Sequence, residues 1–461
     1  MSRLALCSLS ISLLLAAPAA RADRQLSLDD AIKLALARNP ELTLERSKVE
    51  EAEATRKSTR GLYGPKLMVD ANLMVWDSAL AFEFSQPDMS KMDTPTLAIL
   101  AKYGDLMSVL PSLFDLGNIR DQVTAQIGVT LAQPLTPLLQ IHNGYKATRE
   151  MAEAARLDEK SKELDVAHKV SETYFQVLQA QRFAEVAQTG VEQVEAHLAR
   201  ARHFYTAGLI GKQDVLKAQL ELARARERVI KAKTGISLAT SALALQLGLG
   251  LGEKLTLTER VEDPPPEVRD SLGQALETAL RKRTELRAME HKQRAARAGR
   301  RRAKWDMIPQ VSAVATYQYT RGQGTFFPEN AFFAGGVLKW EVWDWGNKYY
   351  AMKAAALKER QAELGRRLLR DGVQIQTKKA FLELQQSGEA LAVARAAIAE
   401  AEENFRIEKQ RFDANANTST DVLDAQLALT RAQLSYTTAL YGYYIARAAL
   451  LRSTGRLELN R

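Results

Sequence analysis

The sequence predicts a mostly helical protein with a small β part: long coiled-coil helical hairpins plus four strands. Three observations carry this. Residues 146–204 contain no proline and a single glycine, Gly190. Residues 67–75 and 123–131 place apolar side chains at every second position, a strand period. The whole plan then occurs a second time in the chain.

Of the 461 residues, 26% are charged and 46% hydrophobic, which excludes a disordered chain and a membrane protein built of helices. The net charge of +9 falls to 9 − 2 = +7 once Arg3 and Arg21 are set aside with the leader described next. A basic chain can bind nucleic acid. Here Lys and Arg alternate with Glu along helical stretches, which reads as solvated faces, and the cluster Arg297 to Lys304 is too short to change that.

Residues 1–22 read as a secretory leader. Arg3 supplies the positive start, Leu4 to Ala17 the apolar core, and Ala20-Arg21-Ala22 the small-x-small cleavage site. The only cysteine, Cys7, lies inside that core, too early for lipid attachment. The expected mature chain therefore has no lipid anchor and no disulfide. No later apolar run is long enough for a membrane helix, so an exported chain of this kind is soluble or crosses a membrane as strands.

The repetition is specific. Ser27-Leu28-Asp29-Asp30-Ala31-Ile32 resembles Ser271-Leu272-Gly273-Gln274-Ala275-Leu276, at an offset of 271 − 27 = 244 that also pairs Pro65 with Pro309. Further on the offset is 207, pairing Tyr174 with Phe381, Tyr205 with Phe412, Asp214 with Asp421 and Gly248 with Gly455. The first half, 23–263, thus carries an insertion at about 77–122. Pro264-Pro265-Pro266 links it to the second half, 267–461.

Each half opens with a helix, Leu28 to Arg60 and Leu272 to Lys304, with Ser27 and Ser271 as N-caps and Pro65 and Pro309 after the ends. Two strands follow. In the first half they are Leu67 to Val75 and Val123 to Leu131; in the second, Val311 to Thr320 and Phe333 to Trp345. Trp76, Trp340, Trp343 and Trp345 fall at these strands. The alternation fits a half-buried soluble sheet or a barrel in lipid. Two strands per half cannot make a stable sheet alone, and four cannot close a barrel, so in lipid several chains would have to contribute.

Long helices come next. Val170, Val177, Ala184, Val191 and Leu198 form a heptad series with Thr173, Ala180, Ala187, Val194 and Ala201 beside it. Leu384, Leu391, Ile398, Phe405 and Phe412 repeat it with Ser387, Ala394 and Ala401. A period of 3.5 implies coiled-coil packing. Each long helix breaks at a turn, about 205–214 and about 412–421, and a return helix follows to about Leu247 and Ser453. The second turn leads into Asp421-Val422-Leu423-Asp424, the first into Asp214-Val215-Leu216-Lys217. Asp214 and Asp421 read first as helix caps, acids set against the positive helix end. Asp424 is an extra carboxylate one turn on.

Enzyme chemistry finds no support in the sequence. His142, His168, His197, His203 and His291 make no close metal-ligand pair, and no phosphate loop or nucleophile elbow occurs. We expect no catalytic residue, no metal and no cofactor. His197 and His203 read as solvated surface. Met89, Met92 and Met107 in the insertion read as gap fillers rather than metal ligands. A soluble periplasmic coiled-coil scaffold explains the hairpins but not the tryptophan-rich strands.

The paired Ser-Leu-x-x-Ala openings at 27 and 271 carry a resemblance, as do the Pro-led strands at 65 and 309 and Gln133-Pro134-Leu135. So do Tyr205-x-x-Gly208-Leu209 before Asp214, and Phe412-x-x-Asn415-x-x-Thr418 before Asp421. In order, duplication and spacing the chain resembles the TolC family of outer membrane efflux and secretion channels over nearly all of 23–461. The resemblance implies a homotrimer with a shared twelve-stranded barrel in the outer membrane lipid, helices forming a gated periplasmic tunnel, and hairpin tips facing a periplasmic adaptor and an inner-membrane transporter. The interspersed charge, for its part, gives no reason to expect a nucleic-acid partner.

On the same resemblance, Asp421 and Asp424 would line the periplasmic gate, where rings of like charge attract cations and crowding raises some carboxyl pKa values. Tyr205, Gly208, Leu209, Asp214, Phe412, Asn415, Asn417 and Thr418 would form the tips that meet the adaptor. Trp76, Trp340, Trp343 and Trp345 would form the aromatic belt. The chain departs from the family at Phe412 and Asn417, where a Tyr and an Arg commonly hold the tip closed; Phe donates no hydrogen bond and Asn carries no charge.

Overall fold

The computed structural model describes residues 24–81, 89–105, 109, 118–259, 261, 265, 270–324 and 327–457. The leader with Cys7, most of the proline linker, and part of the insertion including Met107 lie outside the described residues. No described helix is long and apolar enough to cross a membrane.

In chain order the elements are β1 (Arg24–Leu26), α1 (Leu28–Arg38), α2 (Pro40–Gly61), β2 (Lys66–Val75), β3 (Leu80–Ala81), α3 (Thr94–Lys102), β4 (Asn118–Arg120), β5 (Val123–Pro134), α4 (Pro137–Thr206) and α5 (Lys212–Gln246). There follow β6 (Leu255–Leu257), α6 (Leu272–Lys282), α7 (Thr284–Trp305), β7 (Gln310–Arg321), β8 (Asn330–Lys339), α8 (Asn347–Asp413) and α9 (Ser419–Ser453). In the described part of the insertion β3 pairs with β4, and a short helix lies between them in the chain.

Two compact units form. One takes the described residues up to 51, within 152–291 and from 363 on; the other takes those within 52–151 and 292–362. Each draws segments from both halves of the sequence.

The first unit is helical. Ser27 and Ser271 start α1 and α6 with capping boxes closed by Asp30 and Gln274. The single opening helix expected in each half is two helices. Asn39 and Arg283 leave helical geometry at ψ 126 and 123. Pro40 accounts for the first break, because it disfavours helical backbone in the residue before it. Thr284 has no such effect. At both breaks a glycine packs close: a Cβ on Gly248 (φ 69) would stand 2.5 Å from the Arg38 carbonyl, and one on Gly455 (φ 68) 3.2 Å from Lys282 Cβ. Positive φ together with this contact explains why glycine ends each return helix. Asn39 Nδ2 also donates to the Gln246 carbonyl at 2.8 Å, and Arg283 donates to Gln376 and Glu285, both at 2.8 Å.

The heptad seam of α4 is the core of this unit. Val170, Val177, Val191, Leu198, Thr173, Ala187, Val194 and Ala201 are buried, with Ala180 and Ala184 half-buried. They pack on Leu243 and Leu247 in one cluster and on Val215, Ala218 and Leu222 in another. Along α8 burial is patchier: Leu384, Leu391, Ala394 and Phe412 are buried, whereas Ser387, Ile398, Ala401 and Phe405 are half-buried. Tyr174, fully buried, donates from its hydroxyl to the Leu26 carbonyl at 2.9 Å and so ties α4 to the parallel β1–β6 pair.

The second unit holds an antiparallel sheet in the order β2-β5-β7-β8. The register pairs Leu67 with Leu131, Val69 with Val129 and Val75 with Val123; it then pairs Val129 with Tyr317 and Tyr317 with Phe332. Paired residues share a face, so Leu67, Val69, Leu73, Ile127, Val129, Leu131, Tyr317 and Phe332 fall on one side. The other side is mainly polar, with Lys66, Asp70, Asn72, Thr124, Gln126, Thr130, Ser312, Thr316 and Gln318 among Met68, Met74, Val314, Phe333 and Val337. The apolar side is exposed: Leu67 is 68%, Val69 68% and Leu73 72% accessible.

β8 ends at Lys339, short of the expected Trp345. Lys339 pairs with Gln310, where β7 begins, so the ladder has no partner beyond it, and the chain then runs to Asp344. Its Oδ1 accepts from Gly346 N at 3.0 Å and its Oδ2 from Lys348 N at 2.9 Å, so it caps the start of α8. Trp345 and Gly346 turn there at φ 54 and 82.

Candidate functional site

The site begins at the two hairpin turns, both in the helical unit. The first runs from Thr206 to Lys212, with Gly208 at φ 77; the second runs from Asp413 to Ser419, with Asn415 at φ 59. Glycine and asparagine are the residues that take left-handed backbone most readily, which is why each stands there. Corresponding bonds close both turns: Leu209 N donates to Phe204 O at 2.9 Å and Ala416 N to Arg411 O at 2.8 Å.

The return helices start differently. Thr418 caps α9, and its hydroxyl and backbone N–H both donate to Asp421 Oδ2, at 2.7 and 2.8 Å. Gly211 starts α5 and has no side chain to cap with. Asp214 is therefore an acid in the first turn, acting only on the helix end, and not the cap its position suggested.

Asp421 and Asp424 line one pocket of about 530 Å³ with Asn404, Glu408, Arg411 and Asn417. The Thr418 hydroxyl, then its backbone N–H, hold the Asp421 carboxyl below its usual value, and Arg411 adds to this. Carboxylates crowded by neighbouring copies would act in the opposite direction. Asn417 Nδ2 donates to the Glu408 carbonyl and to Glu408 Oε2, at 2.9 and 2.6 Å. Its links stay inside its own hairpin.

Two sequence-based readings are corrected here. Phe412 is only 1% exposed, so it cannot meet an adaptor. Its ring packs on Phe204 and His197, with centroids 5.3 and 4.9 Å apart. His197 is buried, not solvated, and its Nε2 is 2.7 Å from Ser419 Oγ. Burial, then the Arg200 charge, push the His197 pKa down to about 4. Further bonds join the hairpins: Arg200 with Asp413, Lys217 Nζ with Thr420 Oγ1 at 3.0 Å, and Gln426 Nε2 with Gln193 Oε1 at 2.5 Å. No local sequence signal links His197 to Ser419, which lie 222 residues apart.

Of the other tip residues, Tyr205 and Leu209 are 44% and 53% exposed, and Asn415 is exposed. In the sheet unit, Trp76 follows β2, its Nε1 donating to Thr124 Oγ1 at 3.1 Å under the Arg120 guanidinium. Trp340, Trp343 and Trp345 follow β8 and are exposed. The antiparallel register puts Trp76 at one end of the sheet and Trp340 at the other.

The sequence profile of the outer membrane efflux protein family matches residues 31–249 and 275–456. The chain belongs to that family. Its two matched segments fall one in each half of the sequence. Solved structures agree in fold. CusC, described in terms of folding and transmembrane channel formation, superposes with a TM-score of 0.78 at 15% identity, over 94% of this chain and 92% of its own. The CmeC outer membrane channel of Campylobacter jejuni gives 0.74 at 16%, over 94% and 87%. The MtrE outer membrane channel of Neisseria gonorrhoeae, in its open state, gives 0.70 at 16%, over 94% and 90%. No curated protein sequence matches. Family membership makes this an outer membrane efflux channel protein and removes the soluble scaffold as a reading.

Proposed function

We propose that three copies of this chain form the exit duct of a tripartite efflux or type I secretion system, working with a periplasmic adaptor and an inner-membrane transporter. The sheet carries this reading. It has one apolar and one polar face, and its outer strands β2 and β8 are paired on one side only. Open strand edges are untenable in hydrocarbon, and closure by neighbouring copies removes them while turning the apolar face to lipid. Three copies of four strands give a twelve-stranded barrel. Trp76 at one end, and Trp340, Trp343 and Trp345 at the other, are then the two aromatic girdles. The leader at 1–22 would direct export, and the two halves, 23–263 and 267–461, are copies of one structural plan.

Asp421 and Asp424 form two rings of carboxylates at the periplasmic gate and set its preference for cations. Tyr205, Gly208, Leu209 and Asn415 present the tips to the adaptor. Phe412, His197 and Ser419, with the Arg200–Asp413 pair, hold the second hairpin against the first within each copy, in place of a polar link from a Tyr or Arg of the second turn. The test is native mass spectrometry on protein extracted from outer membranes, with conductance in planar bilayers. A trimer with discrete channels is expected. Recovery as a monomer from the soluble periplasm would refute the reading.

A further inference from the structure

The sheet unit contains a second pocket, of about 500 Å³, at the end of the sheet where β2 starts and β5 ends. That volume is within the range of small-molecule sites. Leu62, Met68 and Ile141 supply an apolar wall. Lys66 and Arg302 supply two cations, and no carboxylate lines the pocket. Gln140, which lines it, donates to Asp306 at 2.8 Å. Neither Lys66 nor Arg302 has a side-chain hydrogen bond or ion pair among the described residues, unlike Arg294, Arg297 and Arg300 on the same helix, which pair with Glu150 and Glu359. The first turn of α4 also borders the pocket and adds partial positive charge.

The face matters. Lys66 pairs with Ala132, and Pro134 with Ser312; all four line the pocket. They belong to the polar face of the sheet, opposite Leu67 and Leu131. On the channel reading, which this inference rests on, that face borders the lumen.

We propose that this pocket is a subsite for amphipathic anions: an acidic head group held by Lys66 and Arg302, and an apolar body against Leu62, Met68 and Ile141. Unpaired cations above an apolar wall reward that combination and penalise an amphipathic cation. An exported solute and an acidic phospholipid share this chemistry.

The test titrates octanesulfonate, octyltrimethylammonium and inorganic sulfate into the purified trimer in zwitterionic nanodiscs, with empty discs as the blank. Octanesulfonate should bind at least about tenfold more tightly than either other probe. K66Q/R302Q should weaken it by at least about tenfold, and K66R should retain it. Competition by phosphatidylglycerol placed in the discs would support the site and assign it to lipid; no competition would support it and assign it to solute. Equal binding of the cationic and anionic probes, or unchanged affinity in K66Q/R302Q, overturns the proposal. Single-channel conductance of the same preparations keeps this apart from the channel reading: a conducting trimer without the anion preference sinks only the subsite.

Discussion

Tyr205 and Phe412 stand at corresponding places in the two hairpins, 412 − 205 = 207 residues apart, yet Tyr205 is 44% exposed and Phe412 1%. The same contrast runs through the two turns. Gly211 opens one return helix without a side-chain cap; Thr418 opens the other with a closed capping box. Lys217 stands where the second hairpin has Asp424, and it reaches across to Thr420. One plan has been given two uses. The first turn shows apolar side chains to its surroundings, and the second is braced from behind and shows carboxylates.

The bracing can be broken in order of expected effect. Phe412→Ala removes a fully buried ring between His197 and Phe204. The expected cost is about 3–5 kcal/mol, read by thermal unfolding, with longer open times in single-channel records. Tyr205→Ala, its counterpart, should change neither. Equal effects from the two would erase the contrast.

Ser419→Ala leaves the buried His197 without its partner, at about 1–3 kcal/mol, and should raise open probability less than Phe412→Ala. Acid should do the same in the unmodified protein. The His197 pKa is pushed down to about 4 from an ordinary value of 6.5, with Arg200 opposing its protonation and Asp413 favouring it. The unfolded chain binds the proton first as pH falls. The contribution of His197 is therefore complete above about 6.5 and is lost progressively toward about 4. His197→Gln should flatten that part of the profile of channel opening against pH.

Smaller still is the cap. Thr418→Ala should cost about 0.5–2 kcal/mol in the start of α9, whereas Thr418→Gly should cost only about a few tenths. Thr418→Ala should also raise the Asp421 pKa, since it removes the hydroxyl bond that lowers it most and keeps only the backbone one. Carboxyl chemical shifts would report both.

Much of this was legible in the residues. Period-two alternation placed Leu67, Val129 and Tyr317 on one face because a strand has no other option. The heptads of α4 marked a seam that is buried, and Ser27 and Ser271 marked helix starts. The errors have physical causes. Trp340 to Trp345 has the composition of a strand, but β7 begins at Gln310 opposite Lys339 and leaves it no partner, and Asp344 then bonds two backbone N–H groups at the start of α8. Arg283 breaks a helix with no proline beside it, in a place set by packing against Gly455. His197 looked like any polar residue on a long helix. Its partner Ser419 comes from the other half of the chain, and only tertiary contact brings them together.

The central claim is that the second turn, and not the first, carries the ion selectivity of the pore. The direct measurement is the reversal potential of single channels in a potassium chloride gradient, for the unmodified protein, D421N/D424N and D214N. Cation preference in the unmodified channel, its loss in D421N/D424N and its retention in D214N are expected. An unchanged reversal potential in D421N/D424N would contradict the account.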